Sequence, residues 1–286
     1  MNWWHAILLG IVEGLSEFLP ISSTGHLTVV EKLLGYQIDD PALTAFTAII
    51  QVGAILAAVV YFIKDISRLA VAWFKGLFDN DARSTVDYRL GWGVIVGSLP
   101  IGIVGLALQK VIEGPLRNLW VVVAGLIVWS VVLWLADRAS EKQTGRRSTP
   151  RGEESMTITD ALVLGLWQCV ALIPGVSRSG ATISGGLFRG IDRVTATRWS
   201  FFLGIPALLA AGVLQAVKAS KSIASPELGW APTLIGTAVA FVVAYASIAW
   251  LLRFVASNKF TAFVIYRVLA GLAVGGLLLT GVVSAT

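Results

Sequence analysis

The chain has 286 residues, of which 56% are apolar and only 14% charged, and its mean hydropathy is +0.78. A soluble domain carries roughly a quarter charged residues, so the composition excludes an ordinary soluble enzyme and calls for an integral membrane protein. The formal net charge of +5 sits between apolar segments, the pattern of membrane loops, and no nucleic-acid partner is expected.

In chain order, the N-terminus MNWWHA lacks the basic n-region of a cleavable signal peptide, so insertion is expected to use the spans themselves. Residues 6–34 are apolar but interrupted by Glu13, Glu17, Pro20 and His26. Six cleaner windows follow, at 42–62, 91–108, 119–136, 198–217, 232–252 and 261–283. Each is near the ~20 residues with which a helix crosses a bilayer. Between the third and fourth lies a second interrupted segment, 161–188, with Pro174, Gly175 and Arg178. Both interrupted segments break at a Pro with serines after it. Each is expected to form a re-entrant hairpin of two short helices, because irregular backbone at membrane depth is tolerated only where it is buried in protein or lines a wet cavity. The polar stretch 137–160 is expected to be a mobile cytoplasmic loop. Cys169 is the single cysteine, so no intrachain disulfide can form, and it is expected to be a packing residue.

The two interrupted segments resemble each other. At a shift of 155 residues Leu9-Gly10 falls on Leu164-Gly165, Glu13 on Gln168, and Ser22-Ser23-Thr24-Gly25 on Ser177-Arg178-Ser179-Gly180. The predicted fold is therefore an all-α polytopic membrane protein with six transmembrane helices, two re-entrant helical hairpins and an internal repeat. It forms one membrane domain over 1–286, with halves at about 1–140 and 156–286. Three spans per half is odd, so the second half is expected to be inverted, which places a binding site near the midplane. Of the loop lysines and arginines, fifteen lie around 63–90, 137–160, 189–198 and 253–259, and five (Lys32, Lys110, Arg117, Lys218, Lys221) on the other side. The positive-inside rule puts the fifteen in the cytoplasm and both termini outside.

Glu13 and Glu17 lie one helical turn apart on one face. Two carboxylates in an apolar setting are costly, and a divalent cation such as Mg²⁺ or Ca²⁺ would remove the cost; a wet helix face or a proton-coupling pair would also account for them. Pro20 ends one helix, Ser22 is placed to cap a second over about 23–34, and Gly35 stops it. Pro174-Gly175 and Ser177 repeat the device before a helix from about 178. Two helix N-termini brought together would cradle a phosphate, although capping alone would explain each serine. Arg178 has no acidic partner in its own segment, and its fork fits phosphate oxygens; Thr182 follows one turn later. His26, three residues after Ser23, could serve as a general base or acid. His5 is read as interfacial. Gln51 and Gln168 either line the site or bond helix to helix. Arg267, ~10 Å into its span at 1.5 Å per residue, is expected to snorkel to the cytoplasmic face.

The stretch EGLSEFLPISSTGH, followed by PGVSRSGATISGG, resembles the undecaprenyl-diphosphate phosphatase family, also called bacitracin resistance proteins, over nearly the whole chain. The resemblance implies hydrolysis of undecaprenyl diphosphate to undecaprenyl phosphate and inorganic phosphate, recycling the carrier lipid for peptidoglycan synthesis. It also implies a divalent cation. It points to Glu17, Ser23, His26 and Arg178 as catalytic residues, Ser22, Thr24, Ser177, Ser179 and Thr182 as substrate-binding residues, and Glu13 with Glu17 as metal ligands. The implied partners are a polyprenyl diphosphate lipid and membrane lipids, with a homodimer allowed. The implied location is the plasma or inner membrane, with the site opening to the extracytoplasmic side. Whether Ser23 or a water attacks phosphorus stays open. A lipid flippase or secondary transporter is the alternative, since inverted repeats are common there. The SSTGH element faintly resembles the PSGH of type-2 phosphatidate phosphatases, but that chemistry needs a second His, and none follows His26.

Overall fold

The computed structural model describes the chain apart from residues 38–39, 145–150, 224–228 and 286, and apart from the side chains of 113, 144 and 213–223. Of the loop cations counted above, Arg146 and Arg147, and the side chains of Lys218 and Lys221, lie outside the described residues.

Among the described residues, six helices are long and apolar enough to cross a membrane. They are α3 (Pro41–Tyr61), α6 (Val86–Ala107), α8 (Leu119–Thr144), α11 (Arg193–Ile223), α12 (Trp230–Ser257) and α13 (Thr261–Leu279). Each overlaps one of the six expected windows, and the chain is a multi-pass membrane protein. The interrupted segments form two helix–break–helix units, α1 (Trp3–Ser16) with α2 (Ser23–Leu33) and α9 (Ile158–Cys169) with α10 (Arg178–Phe188). Shorter helices α4 (Ile63–Gly76), α5 (Asn80–Arg83) and α7 (Gln109–Glu113) complete the chain. Local chemistry sets the starts: Asp40 accepts from the Ala42 N–H at 2.7 Å with Pro41 in the first turn of α3, and Thr157 and Asp160 form a reciprocal capping box on α9.

The broken units are held by helices from the other half of the chain. α1 packs on α12, and α9 packs on α6. Small residues permit the approach: a Cβ on Gly165 of α9 would meet the Gly97 carbonyl oxygen of α6 at 2.1 Å, closer than any side chain allows. In lipid, where apolar side chains gain little by leaving the tails, such backbone proximity is what holds helices together.

Three expectations are corrected. The stretch 137–160 is not one loose loop: 137–144 continue α8, Arg151 pairs with the backbone of Ile191, and Arg89 donates to the Met156 and Glu154 carbonyls. Ion pairs of Arg151 with Asp160 and of Glu153 with Arg68 and Arg198 add to the backbone contacts that hold it against the fold. Residues 63–76, assigned to a loop, form α4, whose apolar positions Ile66, Leu69 and Ala70 recur at helical spacing and whose body packs on α6. Arg267 does not snorkel; it is fully buried, because carbonyls inside the protein satisfy it.

Candidate active site

The two breaks use one backbone device. Ser22 and Ser177 both have φ of 77°, and they are the non-glycine residues with positive φ among the described residues. That conformation costs on the order of 1–3 kcal/mol each, so packing must hold it in place. Each serine precedes a helix, α2 or α10, and so turns a set of free N–H groups out of a buried break. Ser177 caps its helix, its Oγ accepting from the Gly180 N–H at 3.2 Å. Ser22 makes no side-chain cap bond, which leaves its hydroxyl uncommitted.

The breaks touch. Ser179 Oγ donates to the Leu19 carbonyl at 3.1 Å and lies 3.1 Å from Ser177 Oγ. Glu17, at the end of α1, receives from both sides: Ser23 Oγ donates to its Oε2 at 2.6 Å, and Arg178 Nη2 reaches its Oε1 at 3.4 Å. Arg178 is steered by α11, where its Nη1 donates to the Ser200 carbonyl at 2.7 Å. Gly204 makes the room, since a Cβ there would sit 1.9 Å from Arg178 Nη1. The Arg178 Nε is buried and unpartnered. Thr182 donates to the Arg178 carbonyl at 2.9 Å, so its hydroxyl follows Arg178.

Glu13 is fully buried, and neither of its carboxylate oxygens has a hydrogen-bond partner. A buried carboxylate with no donor is expensive, and a cation beside it would satisfy both oxygens. Among the described residues no three His, Cys, Asp or Glu are grouped to hold a metal ion. Glu13 and Glu17 therefore suit a cation that takes one or two carboxylates and completes its shell with phosphate and water, as Mg²⁺ does.

His26 is placed differently from the reading that made it the base of Ser23. Its Nδ1 lies 2.7 Å from the Ser22 carbonyl, so that nitrogen carries the proton, and its Nε2 lies 2.7 Å from the hydroxyl of Tyr266, on which the ring stacks. The carboxylate that accepts from Ser23 is Glu17. Thr24 is exposed on the first turn of α2, and its carbonyl accepts from Thr28. Gln168 is fully buried with both amide atoms unpartnered, Gln51 is partly buried, and His5 bonds the Tyr36 hydroxyl at 2.6 Å.

This arrangement, two serine-kinked breaks meeting over a carboxylate and an arginine, occurs in a chain with close relatives. A family model described as bacitracin resistance protein BacA matches residues 6–273. The chain belongs to this family. It is 57% identical over the whole of both chains to a protein of Cutibacterium acnes named undecaprenyl-diphosphatase. It is 54% identical, again over both whole chains, to undecaprenyl-diphosphatase 3 of Frankia casuarinae. With undecaprenyl-diphosphatase 1 of Streptomyces avermitilis it shares 52% identity over 99% of each chain.

Sequence reasoning about this BacA-family chain missed the contribution of α13. Tyr266 and Arg267 lie outside both motifs, yet one holds His26 and the other holds both breaks. The only signal was an arginine inside an apolar span.

Proposed function

We propose that the chain is a membrane-embedded undecaprenyl-diphosphate phosphatase, with its site between the two breaks. The observation that carries this is Glu17, which receives Ser23 from its own break and Arg178 from the other. The names of full-length relatives at about half identity or more support the substrate and favour hydrolysis over lipid transport. The diphosphate lies across the N-termini of α2 and α10. Arg178 binds its oxygens, and its contact with Glu17, 3.4 Å long, is weak enough to be surrendered to phosphate. Ser22 offers an uncommitted hydroxyl at the start of α2, and Ser177, Ser179 and Thr182 would turn theirs from the protein oxygens they now bond.

Ser23 is the nucleophile. Its Oγ bonds to the terminal phosphorus while the bridging P–O bond breaks and undecaprenyl phosphate leaves. Glu17 takes the hydroxyl proton across the existing 2.6 Å hydrogen bond. Glu17 gives that proton up to the departing undecaprenyl phosphate. A water then cleaves the phosphoserine: Glu17 takes the water's proton and returns it to Ser23 Oγ as the Oγ–P bond breaks and inorganic phosphate leaves. His26 is a proton outlet only when its Nε2 exchanges Tyr266 for the site. Glu13 and Glu17 would hold a divalent cation, Mg²⁺ or Ca²⁺, which when bound shields phosphate charge.

The repeat is proposed as inverted, with both broken units re-entrant. The matched φ at Ser22 and Ser177, and the exchange of partners by which α1 packs on α12 while α9 packs on α6, support this. The excess of loop cations around 63–90 and 137–160 supports a cytoplasmic placement for that side, with the site opening outward from a plasma or inner membrane. Purified protein in detergent with undecaprenyl diphosphate and Mg²⁺ tests the reading. It should release inorganic phosphate and stop on chelation; a transporter would release none.

A further inference from the structure

Arg267 is fully buried, and among the described residues no carboxylate pairs with it. Its guanidinium is spent on neutral oxygens. Nη1 donates to the Pro20 carbonyl at 3.0 Å, and Nη2 to the carbonyls of Gly175 at 2.9 Å and Gly125 at 3.1 Å. Nε donates to Ser130 Oγ at 3.3 Å, an oxygen whose own proton goes to the Leu126 carbonyl. Pro20 and Gly175 are corresponding positions: each lies two residues before a serine with φ of 77°. Both fall outside helices, so the breaks have taken their carbonyls off the helical ladder, and no backbone N–H among the described residues takes either. One side chain therefore binds the same carbonyl of both breaks and anchors them to α8. The preceding residue, Tyr266, holds His26 from the same helix.

We infer that Arg267 is a positioning residue for the phosphatase: by clamping the Pro20 and Gly175 carbonyls it fixes the distance between the starts of α2 and α10, and so between the Glu17–Ser23 pair and Arg178. It touches no phosphate, because its hydrogen bonds run to protein oxygens behind the breaks. The shape of the group is what matters. A planar guanidinium reaches acceptors in several fixed directions, whereas an ammonium reaches from a single point. The inference rests on the phosphatase reading.

The test is Arg267→Lys, purified in detergent, with kcat, KM and the thermal midpoint measured separately on undecaprenyl diphosphate. The variant keeps the charge and should fold, with KM within about threefold of the wild type. Its kcat should fall about a hundredfold, the loss that a misplacement near 1 Å brings. A merely structural role would lower the midpoint and leave kcat per folded molecule unchanged. Wild-type kcat in folded Arg267→Lys overturns the proposal. If that variant does not fold, Ser130→Ala removes one of the four acceptors; a several-fold loss of kcat at unchanged KM is expected, and unaltered kcat overturns the proposal. A wild-type protein that releases no phosphate defeats the phosphatase reading first, and this inference with it; an active wild type with unaffected variants defeats this inference alone.

Discussion

Ser23 is a hydroxyl already hydrogen-bonded to a carboxylate. The 2.6 Å bond to Glu17 is in the range of a strong charge-assisted bond, and it favours the proposal that the serine, not a water, attacks. Rapid quenching with terminally labelled undecaprenyl diphosphate should leave label on the protein, and Ser23→Ala should lose both the label and about three orders of magnitude in rate. An unlabelled protein at full rate would transfer the attack to water. Much of this residue chemistry was legible in the sequence: Glu13, Glu17, Ser22, Ser23, Ser177 and Arg178 stand in two motifs. Their pairing was not. Glu17 and Arg178 are 161 positions apart, and only the fold brings them together. Arg267 was misread for a related reason. Its partners are backbone carbonyls, which leave no mark on side-chain spacing.

At the scale of elements, the second broken unit is tied down at its base. Asp160, fully buried in the first turn of α9, accepts from Arg151 Nη2 at 2.6 Å, from Arg189 Nη2 at 2.7 Å and from the Thr157 hydroxyl at 2.7 Å. Burial opposes its charge, but the hydrogen bonds from Arg151, Thr157 and Arg189 outweigh it and hold the carboxyl well below the usual carboxylate range. A carboxyl with a lowered folded pKa stabilises the protein above its unfolded pKa of ~3.9, and that stabilisation fades as pH falls from there through the folded value. Asp160→Asn should therefore lose about 2 kcal/mol at neutral pH. Its thermal midpoint should converge on that of the wild type as the medium is acidified below about pH 4. Midpoints that differ by the same amount at every pH would remove the ionised clamp. The helices themselves were readable from apolar windows, to within a few residues at most ends. α4 was not, because Lys64, Asp65, Arg68 and Lys75 made its polar face look like a loop. The positive φ of Ser22 and Ser177 was equally hidden, since serine at a helix start ordinarily needs none.

Over the whole molecule, the distribution of charge bears on the proposed orientation. Arg68, Arg151, Arg189, Arg193 and Arg198 all make ion pairs on the side that carries the excess of cations. Single cysteines in a Cys169→Ser background read the orientation. Asn2→Cys should react with an impermeant maleimide in intact cells, and Asp81→Cys only after permeabilisation. The reverse pattern would turn the molecule over. The likeness of the two motifs was visible because polar residues matched, but two strained serines, each two residues after a carbonyl bonded by the same arginine, needed the fold.

The proposed phosphatase site draws its residues from both breaks. Phosphate release from undecaprenyl diphosphate by purified Glu17→Gln, from the first break, and Arg178→Ala, from the second, tests it most directly. Each should retain a cooperative thermal transition and lose at least ~10²-fold in kcat. A folded variant of either kind that hydrolyses at the wild-type rate would contradict it.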